Sequence, residues 1–101
     1  MNIQELRTQI NQIDEQLVAL FDARMKVALE IGKYKKANAL PVYDPAREQA
    51  VLDKQMAAVN AEMAPYVQRL YQTLFELSKD YQQQYMENDS EDGHTCANVL
   101  D

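Results

Sequence analysis

A chain of 101 residues with 47% apolar content is enough for one domain with a modest core, and two glycines and three prolines are too few turn residues for a many-stranded fold. The formal charge of −6 sits mostly in the stretch after Met86, where Glu87, Asp89, Glu91, Asp92 and Asp101 meet no Lys or Arg; the near-neutral body has no basic excess, which argues against nucleic acid and anionic membranes as partners. A single cysteine, Cys96, allows no intrachain disulfide, and neither a signal-peptide core nor the roughly 18 apolar residues of a membrane span is present, so a cytoplasmic protein is expected.

The first element is a long helix. Ile3, Leu6, Ile10, Ile13, Leu17, Leu20, Arg24, Val27 and Ile31 step alternately by three and four, a sustained seven-residue pattern. Nothing breaks it before "NALP", so the helix is expected from about residue 3 to about 36. Gly32 is tolerated inside it at a cost of about 1 kcal/mol relative to alanine. "NALPVYDP" forms the first connection. Asp44 followed by Pro45 reads as an N-cap with proline at the first helical position. The second helix then carries Val51, Leu52, Met56 and Val59 and ends near Asn60. "APYV" opens the third, whose stripe is Val67, Leu70, Leu74, Leu77 and Tyr81 and whose expected end is about Met86. The acidic segment 87–101 is expected to be a disordered or loosely attached tail.

The pattern implies an all-α chain, and its first helix raises a question of size. About 34 residues at ~1.5 Å each make ~50 Å, whereas a compact domain of this length has a radius of gyration of only ~13 Å. The stripe needs cover along its whole length. A second copy is the simplest cover, so an intertwined helical homodimer is expected. The competing arrangement is a monomeric hairpin with one overhanging arm.

The chemical inventory is sparse. His94 and Cys96 are the sole histidine and cysteine, and both lie in the tail, where no rigid frame supports a nucleophilic pair or a zinc site. No Gly-rich phosphate loop is present. Any chemistry must therefore rest on binding and electrostatics. The cations are more informative. Arg24 interrupts the apolar stripe, and Lys35 follows it by 11 residues, close to three turns, so the two share a face ~16 Å apart. Ala28 and Ile31 lie between them as a small apolar wall. No acid on the stripe pairs them, and charges removed from water need partners. The second helix offers Asp44, Arg47 and Glu48, with the two acids at i, i+4. The third offers Tyr71, Phe75, Ser78 and Gln82 along one edge. Such a set suits a small anion carrying a hydroxyl group. Arg7, 17 residues before Arg24, is ~25 Å away and cannot share a ligand with it in one chain; in an antiparallel dimer it would reach the partner's pocket. Bland readings stand beside each of these. An arginine in a stripe can snorkel, Lys35 can complement a helix end, Asp44 can be an N-cap alone, and Arg47, Glu48, Ser78 and Gln82 can be solvated surface. Periodicity leaves the choice open.

The segments "LRTQINQIDEQLVALFDARMKVALEIGKYK", "PVYDPARE" and "LFELSKDYQQ" resemble the all-helical (AroQ-type) chorismate mutase family over about residues 3 to 86. The resemblance implies an intertwined dimer of three-helix chains that converts chorismate to prephenate by a Claisen rearrangement, on the branch towards phenylalanine and tyrosine, with no cofactor or metal. It also implies residue roles. Arg7 would enter the partner's site and bind a substrate carboxylate, and Arg24 would bind a carboxylate within its own chain. Lys35 would contact the ether oxygen and a carboxylate, and Gln82 would be the second donor to that oxygen. Asp44 and Glu48 would lie near the substrate hydroxyl, with Arg47 either on the carboxylate side or behind the residues that touch the substrate. Ser78 would contact a carboxylate, and Ile31 and Phe75 would be apolar walls. Lys79 departs from the pattern, since the family often has an apolar residue there. Two rival functions share the fold: an isochorismate pyruvate lyase, for which "DPARE" with both acids is a poorer match, and a non-catalytic helical dimer module.

Overall fold

The structure, a computed structural model, describes residues 2–90. Three helices account for most of it: α1 (Ile3–Ala37), α2 (Pro45–Ala57) and α3 (Ala64–Ser90). α3 packs against both other helices, while α1 and α2 do not pack on each other.

Local chemistry sets the boundaries. Asn2 caps α1 through a reciprocal pair: its side chain accepts from the Glu5 backbone N–H at 2.9 Å, and the Glu5 carboxylate accepts from the Asn2 N–H at 3.2 Å. At the other end Ala39 takes a left-handed φ of 56°, and the Leu40 N–H closes back on the Lys35 carbonyl at 2.8 Å. Pro41 then bars further helix. α2 begins as the sequence implies, with Pro45 in its first turn and the Asp44 carboxylate accepting from the Arg47 N–H at 3.2 Å. It ends at Ala57, a little before Asn60. Asn60 instead starts the next turn, its side chain accepting from the Met63 N–H at 3.0 Å. α3 runs to Ser90, past the expected end at Met86, because Glu-Asn-Asp-Ser contains neither glycine nor proline to stop it. The acidic tail is thus helical through residue 90, and 91–101, with His94 and Cys96, lie outside the described residues.

One copy has very little core. Among the described residues the buried apolar side chains are Ala28 and Leu52. The stripe residues Ile3, Leu6, Ile10, Ile13, Leu17, Leu20, Val27 and Ile31 are all between 44% and 68% exposed. The radius of gyration is 17.3 Å and the longest extent 56 Å, well beyond the ~13 Å radius of a compact domain of this length. α1 is therefore a long arm whose C-terminal third is packed by α3.

Candidate active site

Where α3 crosses that C-terminal third of α1, and α2 folds over α3, an open cavity of about 290 Å³ forms. This lies at the small end of ligand pockets, which run from roughly 300 to 1,000 Å³. α1 contributes Arg24, Val27, Ala28, Ile31 and Lys35, the connection Val42 and Asp44, α2 Arg47, Glu48 and Val51, and α3 Phe75, Ser78, Lys79 and Gln82. Every residue to which the resemblance gives a role, except Arg7, is in this wall, whereas Tyr71 lies outside it, against Arg24. Arg7 is exposed near the start of α1 and does not reach its own chain's cavity.

Arg24 is half-buried because α3 brings aromatic rings to it. Its guanidinium carbon lies 5.6 Å from the Tyr71 ring centroid and 6.0 Å from that of Phe75, a cation–π arrangement that holds the planar head in place. Nη1 donates to Ser78 Oγ at 3.0 Å. Three turns on, Lys35 Nζ donates to the Val42 carbonyl at 2.9 Å, which ties the connection to the end of α1. Among the described residues neither Arg24, Lys35 nor Arg47 forms an ion pair. Glu30 is engaged elsewhere: its hydrogen bond and its charge hold the Lys33 ammonium above the usual lysine range.

Among the described residues Gln82 is the most enclosed polar side chain, 5% exposed, with Nε2 donating to the Ala28 carbonyl at 2.6 Å. Since a carbonyl only accepts, the amide nitrogen must be the atom on that side, which fixes the orientation of the group. Gly32 makes this seat. A Cβ there would stand 2.9 Å from Gln82 Cγ and 3.2 Å from its Cβ. In the sequence alone Gly32 is only a tolerated cost inside a helix. Its place one turn beyond Ala28, on the face of the cavity wall, is a signal that could have disclosed this use.

Glu48 is met by Lys79, the residue that departs from the family pattern. Lys79 Nζ lies 3.1 Å from Glu48 Oε2 and 4.4 Å from the Tyr43 ring centroid. The charged wall therefore holds four cations (Arg24, Lys35, Arg47 and Lys79) against two carboxylates (Asp44 and Glu48), and the Asp44 carboxylate is occupied by the α2 cap. Among the described residues no group of His, Cys, Asp and Glu forms a metal cluster, and no helix is long and apolar enough to cross a membrane. The arrangement can bind a small dianion in a partly apolar cleft and point neutral and cationic donors at its middle.

Known proteins match this chain along nearly the same region. The family model for chorismate mutase type II covers residues 6–83. The bifunctional chorismate mutase/prephenate dehydratase of Escherichia coli K12 is 37% identical over 70% of this chain and 19% of its own length. The T-protein of Haemophilus influenzae is 31% identical over 68% of this chain and 20% of its own length. The chain thus spans about a fifth of the length of these relatives. A shorter relative, the chorismate mutase of Methanocaldococcus jannaschii, is 29% identical over 82% of this chain and 86% of its own length. Among solved structures, a conserved hypothetical protein from Pyrococcus furiosus superposes with a TM-score of 0.67 at 34% identity, over 79% of this chain and 93% of that one. With a family match that takes in all three helices and the cavity wall, the chain belongs to the chorismate mutase type II family.

Proposed function

We propose that this chain is a cytoplasmic chorismate mutase of phenylalanine and tyrosine biosynthesis, acting as an intertwined homodimer whose catalytic domain lies within residues 1–86. The observation that carries the reading is the pair Arg24 and Lys35, two half-buried cations at opposite ends of an apolar wall with no carboxylate partner among the described residues. A dianionic ligand is the natural counter-charge. The family match over residues 6–83 supports chorismate as the substrate, and the shorter Methanocaldococcus jannaschii relative, named a chorismate mutase, supports the same activity.

The reaction is a unimolecular rearrangement in which one C–O bond breaks as a C–C bond forms. It requires no nucleophile. Arg24, with Ser78 beside it, and Arg47 would hold substrate carboxylates so that the two reacting ends meet, which removes conformational freedom before the barrier. Ile31 and Phe75 would bound the ring. As the C–O bond breaks, negative charge grows on the ether oxygen. Lys35 and Gln82 would donate to that oxygen, where preorganised donors matter most. Each has the capacity: Lys35 spends one of three N–H groups on Val42 and Gln82 one of two on Ala28. Glu48, with Asp44 nearby, would accept from the substrate hydroxyl. Arg7 would enter from the second copy.

The test is incubation with chorismate while the loss of its ultraviolet absorbance is followed. Turnover to prephenate is expected, and Arg24→Ala should lower it at least about a hundredfold, since one well-placed group in such a site is typically worth roughly 3–4 kcal/mol. Turnover of isochorismate in place of chorismate would move the assignment to the lyase, and turnover of neither by a folded dimer would leave a binding module.

A further inference from the structure

Lys79 is the one cation of the cavity wall that substrate binding leaves without a task. It bridges three elements: it lies on α3, pairs with Glu48 of α2 at 3.1 Å, and sits 4.4 Å from the ring centroid of Tyr43 in the connection. The paired side chains are only 31% and 24% exposed, so this contact is screened less by solvent than an ordinary surface pair. A glutamate side chain unheld in a cleft samples several rotamers and loses that freedom when it binds a ligand. Lys79 has already removed it. The pair occupies Oε2 and leaves Oε1 as an acceptor, with no other partner for the Glu48 carboxylate among the described residues. The Tyr43 ring in turn restrains the lysine, which keeps its ammonium on Glu48 rather than on a bound carboxylate.

From this geometry we propose that Lys79 is a positioning residue for the reaction: it fixes Glu48 so that the free oxygen meets the substrate hydroxyl. The inference rests on the reading of this chain as a chorismate mutase. It also gives the lysine at this position a use, where the sequence pattern alone marked only a departure.

A double-mutant cycle on kcat and KM for chorismate tests it, with wild type, Lys79→Met, Glu48→Gln and the double variant, and with Lys79→Arg as the conservative replacement. Lys79→Met should lower kcat/KM about tenfold in the wild-type background and less than twofold once Glu48 is glutamine, because residues that act as a unit are not additive. Lys79→Arg should recover most of the loss. A merely structural role would lower the melting temperature and leave kcat/KM of the folded protein unchanged; that outcome overturns the proposal. So does an equal loss in both backgrounds, which would place Lys79 directly on the substrate. A wild-type protein inactive on chorismate would instead remove the underlying assignment, a failure visible before any variant is compared. Far-ultraviolet circular dichroism controls for folding, and Lys79→Gln replaces Lys79→Met in the cycle if the latter does not fold.

Discussion

Gln82 shows how a neutral side chain can be committed to one task. Its stem is lodged against Gly32, its amide is 5% exposed, and the hydrogen bond to the Ala28 carbonyl settles which end is nitrogen. The remaining N–H is a donor at every pH. Glutamate at the same place donates only when protonated, and burial against a carbonyl oxygen favours that protonated form. The sign follows directly: the active species of Gln82→Glu exists at low pH and is lost as pH rises through the new carboxyl group's titration. Activity of Gln82→Glu should therefore be highest in acid and fall towards neutrality, while the wild-type profile stays flat over the same range. A rate–pH profile of kcat for both proteins checks this, and matching profiles would remove Gln82 from the ether oxygen. The contrast with Glu48 and Lys79 is instructive. There the useful state depends on a charged neighbour, and so on the arrangement of two helices.

Helix packing decides how precisely such groups are held. α3 approaches α1 where Ala28 and Gly32 present the smallest side chains on that face, and Gln82 fills the space they leave. Gly32→Ala should gain about 1 kcal/mol of helix propensity and meet the near end of the Gln82 side chain, which cannot swing away as a flexible tip would. Net stability should then change by less than about 1 kcal/mol, while kcat falls at least tenfold because the donor is displaced. Thermal unfolding and steady-state kinetics on one preparation separate the two effects, and an unchanged kcat would show that the seat is loose. The same contact marks the limit of what the sequence discloses. Helix identity and two of the boundaries are legible because a period of three and four runs unbroken to "NALP" and because Asp44-Pro45 is a strong start signal. The end of α3 was not, since no breaker lies between Met86 and Ser90. The faces of Arg24, Lys35, Ser78 and Gln82 follow from spacing alone. Which α3 residue meets which α1 residue does not, because propensity and period say nothing about the depth at which two helices interpenetrate. Hence Gly32 reads as a cost and Lys79 as an anomaly until α3 is placed.

At the scale of the whole molecule, one copy leaves the stripe of α1 largely uncovered. The eight apolar side chains of the α1 stripe are largely exposed along a 56 Å body whose buried apolar core, among the described residues, is Ala28 and Leu52. Covering each would add roughly 1 kcal/mol at half its full burial, a sum that exceeds the lower estimates for the cost of association. Arg7 fits the same picture, because it lies on the uncovered part of α1, about 25 Å from Arg24 along the helix. A second helix running antiparallel to the first would bring the Arg7 of one copy to the cavity of the other. Complementation makes this argument decisive. Arg7→Ala and Lys35→Ala chains should each be nearly inactive alone. When they are mixed and allowed to exchange subunits, one kind of site in the heterodimer carries both substitutions and the other carries neither. Activity should rise to roughly a quarter of wild type, because half the dimers are mixed at random pairing and each has one intact site of two. Exchange verified by mass spectrometry with no recovery would mean that Arg7 serves its own chain or none, and the shared site would have to be abandoned.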